Sequence, residues 1–265
     1  MPRYPFQQDI LDALPEKLAE LFRALETTLL EGICSRLKIA GDLNQVTVEG
    51  IRALRAHGIA LPEIGRAIQE TAGISAQQLA ALFADVVARN QAYYMGMIDL
   101  AKVTRPARLV NEWDIEAINR QTQQEFTNLT QSMGFQVGRG PKKVLLPPGK
   151  AYQWALDNAE MQMMSGAISY SQAIYTATKQ LADSGLRRVD YASGHTDQVD
   201  VAVRRAVLTG INQINQKYRE QSMEYLGTDL VEVTAHSGAR DVDGPNGWEN
   251  HKKWQGRVYR WIKLS

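Results

Sequence analysis

The spacing of apolar residues near the start of this chain leaves little choice of local structure. Leu11, Leu14, Leu18, Leu21, Phe22, Leu25 and Leu29 recur at three- and four-residue steps, the interval that lines one face of an α-helix. Pro15 suits a first helical turn, where its missing N–H costs nothing, and Gly41 breaks the pattern. Shorter helices are expected over 47–57 and 62–71, begun near Thr47 and Pro62 and ended near Gly58 and Gly73. Ser75 resembles the N-cap of a longer helix that should stop near Arg105, because Pro106 disfavours helical backbone just before it. Residues 1–105 therefore read as a helical N-terminal region with its helices side by side.

The same period continues into residues 106–265. A helix is expected over 113–135, polar along much of its length, followed by the Gly-, Pro- and Lys-rich loop "QVGRGPKKVLLPPGK". Its basic residues Arg139, Lys142 and Lys143 read as a solvated loop, with phosphate contact as the alternative; the residue order of a P-loop is missing. Helices over 151–164 and 169–183 end at Gly185, and Met161, Met163 and Met164 read as adaptable core packing. The longest well-patterned helix of this half runs over 197–226, with Val199, Val203, Ala206, Val207, Gly210, Ile214 and Tyr218 as its apolar stripe. Arg205, Asn212 and Gln216 face the other way, and Gly227 closes it.

Only then does the period drop to two. "DLVEVTAH" puts Val231, Val233 and Ala235 opposite Glu232, Thr234 and His236, and "GRVYRWIK" puts Tyr259 and Trp261 opposite Val258 and Ile262. Antiparallel pairing of these runs is expected. The expected fold class is α+β, predominantly α-helical: a helical N-terminal half, further helices, and a small antiparallel β element near the C-terminus.

Charge and cysteine content narrow the function. Thirty basic against 29 acidic residues leave a formal charge of +1, without the basic excess that generic nucleic-acid coating uses. The single cysteine, Cys34, permits no intrachain disulfide and reads as a small buried hydrophobe rather than a nucleophile. The N-terminus lacks a signal-peptide pattern, and no stretch approaches the run of about 18 apolar residues that spans a bilayer. A soluble, intracellularly made protein without a membrane partner is expected.

The chemically dense segment lies between the two expected strands, in a loop longer than compact domains usually keep without a purpose. Zinc wants about four closed ligands, whereas His236 and His251 stand far apart with no cysteine nearby, and Asp241 and Asp243 fall at no recognisable ligand spacing. A calcium loop fails because Pro245 and Lys252 occupy ligand positions. Ser237 adjoins His236, but adjacent strand residues point to opposite faces and are poorly placed to pair. The preferred reading has the histidines bonded to loop carbonyls, Arg240 and Asp241 in local ion pairs, and Gly238, Gly244 and Gly247 setting turns. Lys252, Arg257 and Arg260, interleaved with Trp254, Tyr259 and Trp261, are the DNA-contact candidates. No cofactor is expected.

"DYASGHTDQVDVAVRRAVLTGINQINQKYREQSMEYLGTDLVEVTAHSGAR", followed by "HKKWQGRVY", resembles the phage minor capsid protein 2 family, itself similar to the Mu F-like head morphogenesis group. "LAELFRALETTLLEGI" and "SAQQLAALFADV" are similar to the family's N-terminal half. Matching signature positions are Gly194, Arg204, Arg205, Thr209, Gly227, Thr228, Asp229, His236, Gly238, Arg240, His251, Trp254, Gln255 and Gly256. The resemblance implies a low-copy, non-enzymatic head protein of a tailed phage or prophage. It would be portal-associated and act in head assembly, DNA packaging or delivery. The implied partners are the portal protein, with major capsid or scaffolding protein and DNA as further contacts. Family members commonly continue into a Gly-rich, Cys- and His-containing tail past "WQGRVY", whereas the sequence here runs to Ser265; a site completed by such a tail is not expected. The competing readings are a metal-dependent hydrolase or nuclease centred on His236 and His251, and a DNA-contacting packaging or ejection factor.

Overall fold

The computed structural model describes residues 4–42, 60–138, 143–166, 168–189, 196–233, 239–244 and 250–261. The elements are α1 (Gln8–Ala13), α2 (Glu16–Asp42), α3 (Ala60–Leu100), α4 (Glu112–Ser132), β1 (Met133–Val137), β2 (Val144–Leu146), α5 (Pro148–Met164), α6 (Tyr170–Ser184), β3 (Leu186–Val189), β4 (Thr196–Gln198), α7 (Val199–Leu226), β5 (Leu230–Glu232) and β6 (Val258–Arg260). The chain is thus α+β and mostly helical, as its patterning requires.

Two compact units interleave along the chain. One comprises Met1–Leu14, Ala81–Arg120 and Leu208–Ser265, the other Pro15–Ala80 and Gln121–Val207. Residue 105 falls inside the first of these units. Within the second, Leu18, Phe22, Leu25 and Leu29 of α2 are buried, while Leu21 is half-buried. The Phe22 and Phe126 rings meet edge to face at 6.0 Å. Pro15 stands just ahead of α2 and its carbonyl accepts from the Ala19 N–H at 3.0 Å, which is the first-turn role its ring favours. Cys34 is half-buried, and desolvation pushes its thiol upward, away from the reactive thiolate.

The expected break between residues 71 and 75 is absent: α3 runs unbroken from Ala60 to Leu100. Ile64, Thr71, Ser75, Leu79, Phe83, Val86, Asn90, Tyr94 and Ile98 are buried in one continuous phase, and that burial outweighs the cost of about 1 kcal/mol for a glycine in a helix interior. Ser75 caps nothing; its hydroxyl donates back to the Ala72 carbonyl at 2.9 Å. The helix also stops earlier than Pro106 demands. Lys102 adopts a left-handed φ of 56°, and the Val103 and Lys102 N–H groups return to Ile98 at 3.3 Å and Asp99 at 2.9 Å, a Schellman closure. The helix expected over 47–57 lies outside the described residues.

By length and composition, Pro62–Leu100 is long and apolar enough to cross a membrane, which corrects the expectation that no stretch approaches that length. Its alanines and larger aliphatic residues carry the average although uncharged polar residues interrupt the apolar run. Glu63, Arg66, Glu70, Asp85, Arg89 and Asp99 occupy its exposed faces.

A second correction concerns the sheet. Four strands in the order β2-β1-β3-β4, all antiparallel, lie within residues 133–198, ahead of the first strand expected from patterning. β1 follows α4 without a turn residue, and the Gly- and Pro-rich stretch expected to be loop contains β2. Met133, Phe135, Val137 and Leu186 form the buried apolar face. Gly134 is required here, because a Cβ would lie 2.1 Å from the Leu146 carbonyl oxygen. Met161 and Met164, expected in the core, are each 65% exposed: they fall outside the α5 face defined by buried Ala151, Ala155, Leu156 and Ala159.

In the first unit, α7 buries Ile211, Ile214 and Tyr218 and ends at Gly227, whose φ of 62° permits the Thr228 N–H to reach the Met223 carbonyl at 3.0 Å. The buried Asn90 amide donates to Asn215 Oδ1 at 2.7 Å, so a long-range polar pair fixes α3 against α7 within that unit. β5 and β6 pair antiparallel, with Val231 opposite Tyr259, which bears out the pairing expected from their alternation.

These contrasts yield a paired test by urea unfolding. Gly134→Ala should lose at least about 2 kcal/mol by forcing β1 from β2, whereas Gly73→Ala, with open space around it, should gain about 0.5–1 kcal/mol.

Candidate interaction site

The signature residues near the C-terminus converge on a short backbone frame in the first unit. The β5–β6 ladder is extended by Val233 N–H to Arg257 O at 3.0 Å, Gly256 N–H to Val233 O at 2.8 Å, and Trp261 N–H to Asp229 O at 2.6 Å. Gly256 holds a left-handed φ of 66° while making its bond, so its place in the signature has a backbone cause. Asp229 also meets Arg260 at 3.4 Å.

Ahead of β6, His251–Lys253 form a 3₁₀ turn. Lys252 pairs with Asp241 at 2.5 Å and Lys253 with Asp243 at 2.6 Å, and the Lys252 N–H donates to the Arg240 carbonyl at 3.2 Å. Asn250 is buried, and its side chain beside the two aspartates helps to hold their carboxyls low. The lysine beside each carboxylate is the main cause holding Asp241 and Asp243 below the ordinary aspartate range. Both carboxylates are thereby engaged by lysines, and His251 is exposed. Among the described residues no group of three His, Cys, Asp or Glu side chains is placed to hold a metal. His236 and Gly238 lie outside the described residues.

Trp254 and Tyr259 stack at a tilt, 5.4 Å between centroids. Gln255, beside them, is half-buried, and Arg257 is exposed. The other two signature arginines belong to the second unit, where Arg204 pairs with Glu16 and Arg205 with Asp197, the latter at 2.9 Å. The described signature positions are therefore divided between the two units.

Sequence reasoning missed an aromatic cavity of about 470 Å³ beside β5, lined in part by Tyr4, Tyr93, Tyr94, Arg219, Val231 and Trp261. Tyr4 meets Tyr93 edge to face at 5.4 Å, and Tyr93 meets Tyr94 at 5.0 Å. The Arg219 guanidinium stands beside the Tyr4 and Tyr94 hydroxyls and lies 5.7 Å from the Trp261 ring centroid. Burial pushes Tyr94 up to about 12 and raises Tyr4 and Tyr93 as well, so these hydroxyls stay protonated at neutral pH. The adjacent Tyr93 and Tyr94 were the available sequence signal, but nothing local ties residue 4 to them. The arrangement supplies aromatic surface and a fixed cation and, among the described residues, no activated nucleophile.

Two measurements check this frame. Gly256→Val should lower the melting temperature well beyond His251→Ala, because a β-branched residue resists positive φ; equal melting temperatures would contradict it. Because the folded Asp241 and Asp243 values are depressed, the lysine clamp is intact at neutral pH and is lost as pH falls below the ordinary value of 3.8. Protection of the Lys252 amide, measured against its intrinsic exchange rate, should fall over that range, and also in high salt at neutral pH, since the pairs are exposed.

No curated protein and no solved structure matches the chain. The family model described as phage minor capsid protein 2 matches residues 6–263. That match takes in both compact units, the Gly256 turn and the clamp around Asn250, and the chain therefore belongs to the phage minor capsid protein 2 family.

Proposed function

We propose that the protein is a non-catalytic minor component of the phage head that docks on the portal vertex and serves head assembly, DNA packaging or delivery. Assembly takes place in the host cytoplasm before the protein is carried in the virion. Family membership, which covers nearly the whole chain and gives a phage structural role, is the observation that carries this reading.

The docking element we favour is the β5–β6 sheet. It has two strands among the described residues, and Leu230, Val258 and Trp261 on or beside it are exposed. Aromatic residues and arginine are enriched where proteins anchor one another, and an unpaired strand edge accepts a partner's strand. The lysine engagement of Asp241 and Asp243 supports docking over metal-dependent hydrolysis. Of the three DNA-contact candidates, Lys252 and Arg260 are drawn toward Asp241 and Asp229, while Arg257 is exposed.

Co-expression with the portal protein of the same phage tests the reading. The chain should elute with the portal ring, and Leu230→Asp with Val258→Asp should weaken that association about ten-fold or more. Elution with major capsid protein alone would overturn the portal assignment, and undiminished binding by the double variant would overturn the docking face.

A further inference from the structure

One large aromatic side chain of the first unit projects from its surface at a fixed place. Trp113, in the opening turn of α4, is 66% exposed. Asn111 Oδ1 accepts the Trp113 N–H at 3.1 Å, which caps the helix, and the next residue, Asp114, is held by Lys217 of α7 at 3.4 Å. Tryptophan is among the side chains most enriched at the anchor points of interfaces, where an indole buries about 150–250 Å².

The same unit carries a receptacle for such a knob. The aromatic cavity beside β5, about 470 Å³, falls in the range of about 300–1,000 Å³ that encloses compact ligands. Tyr4, Tyr93, Tyr94 and Trp261 offer it ring faces and edges on which an indole packs, and Tyr93 and Arg219 are half-buried, so a guest can reach them. Charges match as well. Arg219 and Glu232 line the cavity, while Glu112 and Arg108 stand beside the tryptophan, paired with each other with side chains 71% and 54% exposed. An exposed pair of this kind is weak, so its members can turn to new partners across a contact, Glu112 to Arg219 and Arg108 to Glu232. One copy does not fill its own cavity: Lys217, beside the tryptophan's turn, and Arg219, in the cavity, are two residues apart on α7. That spacing is about 200° around a helix and puts knob and cavity on opposite flanks of α7.

We infer that Trp113 of one copy inserts into the aromatic cavity of a second copy of this chain. Knob and cavity are different surfaces, so the contact is head-to-tail. A copy that receives a tryptophan still presents its own, and the series closes as a ring or continues as an open chain. The inference is independent of portal docking, because it is tested on the chain alone.

Sedimentation velocity of the full chain from about 1 to about 100 µM tests it. The mean mass should rise with concentration. The apparent Kd should weaken about ten-fold or more in Trp113→Ala, which removes the knob, and in Met97→Trp, which fills the cavity that Met97 lines. Mixed together, these two variants should form a 1:1 complex, since one keeps the cavity and the other keeps the knob. A monomer at every concentration, association undiminished by Trp113→Ala, or folded variants that form no complex on mixing would each overturn the inference. Portal association that Met97→Trp abolishes, in a chain that stays monomeric, would give the cavity to that partner instead. Circular dichroism checks that Met97→Trp is folded; if it is not, Trp113→Ala, at an exposed position, decides alone.

Discussion

Burial of one apolar stripe along each long helix is the constraint on which the rest of this structure depends. In α3 the stripe keeps its phase from Ile64 to Ile98, and each large side chain removed from water contributes about 1.5–3 kcal/mol. Local preferences are smaller and yield to it, so Gly73 and a Ser75 that resembles a cap lie mid-helix. The stripe also tolerates polar members where they are paired: the buried Asn90 amide finds Asn215. Where stripes end, left-handed residues close the helices, Lys102 after α3 and Gly227 after α7. Those closures fix where Tyr93, Tyr94 and β5 stand within the first unit.

The C-terminal frame is held together by geometry and charge. Gly256 turns the chain so that the segment before β6 lies along Val233. Two lysine–aspartate pairs and the buried Asn250 hold the preceding turn, while Arg219 is caught among tyrosine hydroxyls and the Trp261 face. Exposed pairs of this kind contribute little stability individually, but together they set the orientation of Trp254, Tyr259 and Trp261. A surface of fixed aromatic groups with its charges internally matched suits recognition of another protein.

What could be read beforehand followed from period and punctuation. The α7 stripe, the glycine stops at Gly185 and Gly227, and the antiparallel β5–β6 pairing were legible because long helical repeats and clean alternation average over many residues. The four-stranded sheet was not, because its strands are three to five residues long: β1 continues directly from α4, β2 lies in a Gly- and Pro-rich run, and β3 is half arginine. Met161 and Met164 misled because methionine count says nothing of helical phase. The aromatic cavity and the split of the signature arginines between two units depend on contacts distant in sequence, which no local pattern encodes.

Membership of the phage minor capsid protein 2 family gives these features a phage structural role, and under the proposed function the terminal β frame serves assembly. The most direct test is quantitative mass spectrometry of purified, DNA-filled particles from a phage encoding this chain. The account predicts the chain in every preparation, at a small and constant ratio to the portal protein. Its absence from particles, with the protein abundant in the surrounding lysate, would contradict a structural role.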